Sequence, residues 1–285
     1  MLMDYLPEHA KFDEHQYAII DRVLFTHLPE PLPVIELVSP LLAPQAHLYP
    51  YLLPLRAISG TQWRTLMAEI QQASDPASAP LICLLLKSTL SPSDIRNSLL
   101  DTLITEDEQR QNHVLRFYDP RVLFHLHWML TPWEFSNRFN TREITVWTFW
   151  LEGQWHSLEY SQPAPFDRNR PKTAFAQIQR IGLINRVLAE QPLITDLAIR
   201  QQTSQSIDAL LAQCPLTTLA DQVAFATQGL LHGDDFWRSA KITALLAESQ
   251  NSPGYYARLT SSWDDADWQE MTRKDYRQMK GSFHL

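Results

Sequence analysis

Glycine, cysteine and positive charge are all in short supply in this chain. Seven glycines occur among 285 residues, and none falls in a GxGxxG, GxxxxGK(S/T) or GxSxG spacing. Phosphate-cradling loops and the nucleophile elbow need glycine where the backbone must approach a ligand or turn sharply, so both signatures are missing. HExxH is missing too. These gaps remove the commonest catalytic signatures without excluding catalysis. The two cysteines, Cys83 and Cys214, allow neither a disulfide framework nor a CxxC metal site, which fits a reducing compartment. Cys83 lies within an apolar run and reads as a buried free thiol. Lys and Arg number 24 against 32 Asp and Glu, a net charge of -8, and no Lys/Arg run offsets it. Such an anion repels phosphate backbones, so nucleic acid is not an expected partner.

No basic segment followed by an apolar core opens the sequence, so no signal peptide is expected. The uncharged stretch from Leu37 to Leu55 is long enough to raise the membrane question. Pro40, Pro44, Pro50 and Pro54 interrupt it and would break the hydrogen-bond ladder of a spanning helix. It reads as irregular chain packed on a core, with no membrane insertion. What the chain does have is apolar substance: 45% hydrophobic and 11% aromatic residues, enough for one large domain or two modest ones.

Sixteen of the nineteen prolines fall at or before Pro171, and strand-like segments follow the same split. The proline-rich stretch Ser161 to Pro171 reads as a linker, giving an α/β (α+β) lobe over 1–162 and an all-helical lobe over 163–285. In the first lobe, Tyr17 to Phe25 is a candidate strand. Gln62 to Gln72 is a helix with Trp63, Leu66, Met67 and Ile70 on one face. Leu81 to Leu86 is a continuous apolar strand covered on both faces. Ser91 caps a helix that begins at Pro92, with Asp94 three residues past the cap and Ile95, Leu99 and Leu103 as its buried stripe. His113 to Tyr118 is the next strand. Asp119 and Pro120 then start a helix along Leu123, Leu126 and Leu130. Glu143–Trp150 and Gln154–Tyr160 form a hairpin around Gly153. The order, roughly βαβαβαββ, predicts a mixed sheet with an antiparallel hairpin added.

In the second lobe, Pro171 to Glu190 has helical spacing through Phe175, Ile178, Ile181, Ile184 and Leu188. Leu216, Leu219, Val223, Ala226 and Leu230 mark another helix, stopped by His232-Gly233. Asp234 or Asp235 would cap the next, which runs to about Ser249, and Trp263 to Met279 makes a last one.

The clusters that carry chemistry have simple structural readings. His125 and His127 lie two apart on a helix, share no face and lack a third ligand, so a wet helix surface is expected and no metal site. Asp264-Asp-Ala-Asp267 reads as acidic residues at a helix N-terminus. Glu106-Asp-Glu108 reads as a solvated turn. Of nine tryptophans, Trp147, Trp150 and Trp155 cluster in the hairpin and Trp128 and Trp133 flank a helix end. Most belong in a core, and any left exposed would anchor a protein partner.

The segment Leu115 to Leu123 is the most informative. Strand alternation puts Leu115 and Phe117 on one face and Arg116 and Tyr118 on the other. The simplest account of Asp119 is a cap with an arginine nearby. A functional account sets Arg116, Tyr118 and Arg121 at the carboxyl edge of the sheet, where open α/β sheets bind ligands. Without a nucleophile, base and orienter, that edge reads as recognition rather than catalysis.

Four segments carry a resemblance to a known family. They are Tyr17-Ala-Ile-Ile-Asp21-Arg-Val-Leu, His47-Leu-Tyr-Pro-Tyr-Leu-Leu-Pro54-Leu, Leu115-Arg-Phe-Tyr-Asp119-Pro120-Arg121-Val-Leu123, and the Trp-rich hairpin ending in Gly153-Gln-Trp155. In order and spacing, over about residues 15–160, they resemble the effector adaptor chaperones of bacterial type VI secretion, a family once described only as a domain of unknown function. The resemblance implies a cytoplasmic, non-enzymatic protein that binds a cognate effector toxin and helps load it onto the spike protein of the apparatus. Arg116, Tyr118, Asp119, Pro120 and Arg121 are then the expected partner-binding residues. No catalytic, cofactor or metal residues are expected, and Arg121→Glu should weaken capture without unfolding. The alternative is a small cytoplasmic hydrolase or transferase using His125, His127 or Asp119.

Overall fold

A computed structural model describes residues 3–5, 14–22, 31–72, 81–162, 164–169 and 171–273. Residues 23–25 of the expected first strand, Pro163 of the expected linker and residues 274–279 of the expected last helix lie outside the described ones, as do the side chains of Met67 and Ile70. The chain divides into two compact units, 1–178 and 179–285.

The first unit is α+β. Its strands are β1 (Met3–Tyr5), β2 (Tyr17–Ile20), β3 (Ile35–Glu36), β4 (Tyr51–Pro54), β5 (Ile82–Ser88), β6 (Ile104–Glu106), β7 (Asn112–Val114), β8 (Ile144–Leu151) and β9 (Gln154–Glu159). Its helices include α1 (Gly60–Gln72), α2 (Pro92–Leu103), α3 (Pro120–Met129) and α4 (Pro132–Arg138). Seven strands form one sheet in the order β1-β9-β8-β5-β2-β4-β3, while β6 and β7 pair separately.

Every pairing in the large sheet is antiparallel, where a mixed sheet was expected. The helices do connect successive strands, but β2 inserts between β4 and β5, and the chain returns from β5 to β8 through α2, α3 and α4 in the opposite sense. Helical connectors therefore produced no parallel neighbours. The stretch expected to be irregular contains a 3₁₀ run over Pro40–Leu48 and then β4, whose Pro54 lies opposite Tyr17, with Leu55 N–H donating to Gln16 O just beyond it.

Register builds the core. Leu52, Ile19, Leu84 and Phe149 make one row across four strands, and Tyr17, Leu86, Trp147 and Leu158 make the next. All eight are buried. Phe117 and Phe139 meet the Trp147 ring edge-on, at centroid distances of 6.2 and 5.3 Å. On the other face Ala18, Ile20, Leu53 and Leu85 pack with Leu66 of α1 and with Trp155. Each such buried aliphatic or aromatic side chain contributes about 1.5–3 kcal/mol. Glu152 and Gly153, with φ of 51° and 79°, join β8 to β9 in a two-residue turn whose positive φ values match the strand twist.

Helix α5 (Phe175–Gln179) spans the division between units, and α6 (Ile181–Ala189) follows after a break at Arg180, so the expected continuous helix is two. Then come α7 (Leu197–Gln213), α8 (Leu219–His232), α9 (Ala240–Ser249), α10 (Tyr255–Thr260) and α11 (Asp265–Thr272). Gly233, at φ 99°, ends α8 as expected. Ser239 caps α9 rather than Asp234 or Asp235, because a 3₁₀ turn over Phe236–Arg238 intervenes. Asp264 and Asp267 form a reciprocal capping box on α11.

Helices α7 and α8 pack so closely that a Cβ on Gly229 would come within 2.5 Å of Leu210 Cδ2. Buried Asp221, three residues past the Thr218 cap, accepts from the Thr218 hydroxyl (2.6 Å) and from the amides of Gly254 (2.7 Å) and Ala257 (2.9 Å), so a carboxylate in the first turn of α8 satisfies the N-terminus of α10. Among the described residues no helix is long and apolar enough to cross a membrane.

Candidate functional site

The Leu115–Arg121 segment is not a strand at the edge of the sheet. Pairing with β6 stops at Val114, and the chain then turns, with Phe117 N–H donating to Leu115 O and Asp119 N–H to Arg116 O. Leu115 and Phe117 are buried, as alternation predicted, but Tyr118 is buried as well. Phe117 holds the turn against Trp147 and leaves Arg116 outside, its guanidinium 5.6 Å from the centre of the Tyr118 ring. Burial raises the Tyr118 phenol above its ordinary value, with Arg116 pulling the other way.

Asp119, Pro120 and Arg121 form a closed cap. Asp119 accepts from the Arg121 amide at 3.0 Å, and the Arg121 guanidinium returns to the same carboxylate through Nε (3.0 Å) and Nη2 (2.7 Å). Pro120 supplies the first helical position. Hydrogen bonding to Asp119 strengthens the hold of Arg121 on its proton. Arg121 is exposed, but its charge is already engaged.

Arg116 and Tyr118 instead line a pocket of about 310 Å³ with Asp21, Arg22, Pro50 and Leu48. Arg22 sits at the end of β2 and forms an ion pair with Glu36 (3.0 Å), donates to Ala46 O (2.9 Å) and lies 4.7 Å from the Tyr51 ring centre. The Tyr118 hydroxyl reaches Leu48 O at 3.4 Å. Leu48 and Val114, 54% and 42% exposed, form an aliphatic rim. Among the described residues Arg116 makes no ion pair, so this rim surrounds one available guanidinium. Pieces of the first three family-like segments, Asp21, Leu48–Pro50 and Arg116–Tyr118, converge here. The Asp21, Arg22 and Leu48 contributions were absent from the expected site, although all three lie in the family-like segments. Cys83, beneath this region, is buried, and desolvation followed by the charges of Asp21 and Asp119 pushes its thiol well above the ordinary range.

The two histidines do not lie on a wet surface. His125 is fully buried and accepts from Trp128 Nε1 at 3.2 Å, and burial lowers His127 to about 4, keeping it neutral. Helix α3 is apolar on nearly every side, so periodicity could not assign these rings to water. No group of three or more His, Cys, Asp or Glu among the described residues could hold a metal ion.

The turn at Glu106–Glu108 is organised rather than merely solvated. Asp107 accepts from the amides of Gln109 and Gln111 and from His113 (2.8 Å), and Glu108 accepts from Phe175 N–H. Trp147, Trp155 and Trp268 are core. Trp133 is 39% exposed and meets Phe166, 61% exposed, edge-on at 4.9 Å beside Pro132 and Pro165, an aromatic surface patch distinct from the Arg116 pocket.

Residues 16–137 match the family model described as a domain of unknown function, DUF4123. The DUF4123 match contains every residue of the Arg116 pocket and the Asp119–Arg121 cap. No curated protein and no solved structure matches the chain.

Proposed function

We propose that this chain is a cytoplasmic adaptor that binds a cognate type VI secretion effector and helps load it onto the spike protein of the apparatus, without catalysing a reaction. The carrying observation is the pocket in which an outward-facing Arg116, without an ion pair among the described residues and lying over the Tyr118 ring, is flanked by exposed Leu48 and Val114. Exposed aliphatic groups around one oriented guanidinium suit a polypeptide with an acidic residue beside an apolar one. The four family-like segments support the same reading, and three of them contribute to this pocket. Arg121 recedes as a contact because Asp119 holds it.

The alternative of a hydrolase or transferase using His125, His127 or Asp119 loses support from geometry. His125 lies in the core, His127 is neutral and largely enclosed, and Asp119 is saturated by a cap. The test is co-expression of the tagged chain with the toxin encoded beside it. The wild type should co-purify with the toxin, and Arg116→Glu should lose most of it while keeping its thermal transition. Failure of the wild type to retain the toxin overturns the function. Equal retention by Arg116→Glu overturns the site.

A further inference from the structure

Strand β2 separates two pockets. The Arg116 pocket lies past Ile20, where β2 ends and β4 begins. At the other end, around Gln16 and Tyr17, a second pocket of about 620 Å³ opens between the end of β4, the end of β5 and the start of β8. The four residues of β2 span about 13 Å, so the two openings occur at opposite ends of the same strands. Nothing in the family-like segments involves the second opening's charged groups.

Three cations, Arg56, Lys87 and Arg142, line this second pocket against a single lining acid, Glu143. Arg56 and Arg142 are exposed, and among the described residues neither makes an ion pair. Lys87 reaches Glu14 only at 3.6 Å, with both side chains about half exposed. Asp94 lies nearby, occupied at 2.6 Å by the Ser91 hydroxyl. The floor between the cations is apolar, built from Tyr17, Pro54 and Leu90, and Tyr17 is fixed by donating its hydroxyl to Leu90 O at 2.5 Å. On a chain of net charge -8, the lining of this pocket is cationic, because its one acid is outnumbered and the two arginines have no ion pair among the described residues. Screening confines the remaining charge to a range of about 8 Å, so a ligand in the pocket meets the cluster before the net anion.

We infer that the Arg56–Lys87–Arg142 pocket is a second polypeptide-docking site, which takes an acidic segment carrying apolar side chains. It is separate from the Arg116 pocket and stands whether or not the adaptor reading is right. Carboxylates pair with the arginines, and the apolar side chains between them cover Tyr17, Pro54 and Leu90. A sheet with a docking pocket at each end can hold two polypeptides at once.

The test uses the full chain and a short fluorescein-labelled peptide alternating glutamate and leucine, read by fluorescence anisotropy at low and physiological salt. The wild type should bind this peptide at least about tenfold more tightly than the glutamine–leucine counterpart. Measured in the Arg116→Glu background, which closes the other pocket to the same peptide, the preference should persist, Arg56→Glu/Arg142→Glu should abolish it, and Arg56→Gln/Arg142→Gln should reduce it. Absence of binding, equal binding of the glutamine peptide, or loss with Arg116→Glu would each overturn the assignment. So would tighter binding of a single-stranded oligonucleotide, which would make the pocket a phosphate site. Dimerisation that vanishes in the double variant would make the occupant a second copy of the chain and equally overturn it. Loss of toxin capture by Arg116→Glu with intact peptide binding would leave both sites standing.

Discussion

The two compact units use charge differently. In the helical unit, the buried carboxylates are tied to other groups: Asp208 to Arg180 at 2.6 Å, and Asp221 to the amides of Gly254 and Ala257 at the start of α10. In the sheet unit, the polar groups that are buried among the described residues are His, Ser and Thr, with no buried Asp, Glu, Lys or Arg, and the cations Arg56, Arg116 and Arg142 are exposed without ion pairs among the described residues. A helix end needs partners for its orphan amides, so a helical unit spends its acids on itself. An antiparallel sheet satisfies its own backbone, so the side chains in the loops at its two ends are not needed for that task.

Asp221→Ala should break the helical side of this comparison most severely. It strips a buried acceptor from Gly254 and Ala257 and should cost about 3 kcal/mol, seen as loss of amide-exchange protection in α8 and α10. A pH titration should reach the sheet unit through His127. Its folded value, about 4, is below the ordinary 6.5, so the unfolded chain takes up the proton first. Stability from this residue is fully present above about pH 6.5 and is lost as pH falls towards 4, by about 3 kcal/mol. The difference between wild type and His127→Gln in denaturant midpoint against pH should show that slope, and parallel curves would refute it.

Gly229→Ala should cost about 1–2 kcal/mol, because the added methyl meets Leu210 at the α7–α8 contact, with the loss read from thermal unfolding. Asp119→Ala should cost about 1 kcal/mol by removing the α3 cap and freeing Arg121. Smallest of all, Arg116→Glu should change stability by less than about 0.5 kcal/mol, since the side chain is exposed. A large loss there would mean that Arg116 serves the fold, and the contrast between the units would fail.

Local features were legible in the sequence, and long-range ones were not. Ser91, Asp119 and Gly233 were read correctly because a cap or stop acts within a few residues. The Ile82–Ser88 strand was legible because a run apolar on both faces must be covered on both. The partners of that strand were not, since nothing in its own residues says that β2 and β8 flank it, or that both run antiparallel. His125 was misjudged for the same reason: burial on α3 depends on what surrounds the helix.

The sequence by itself determined the two-part character of the molecule, its helix starts and stops, and the strands rich enough in apolar residues to form a core. Those follow from spacing, capping and hydropathy, which are properties of neighbours along the chain. Only the tertiary structure decided that Asp119 would close on Arg121 while Arg116 stayed open, and that residues near positions 21, 48 and 116 would share one pocket. Side chains that far apart meet only when the sheet has set its order, because register, not sequence distance, brings loop ends together.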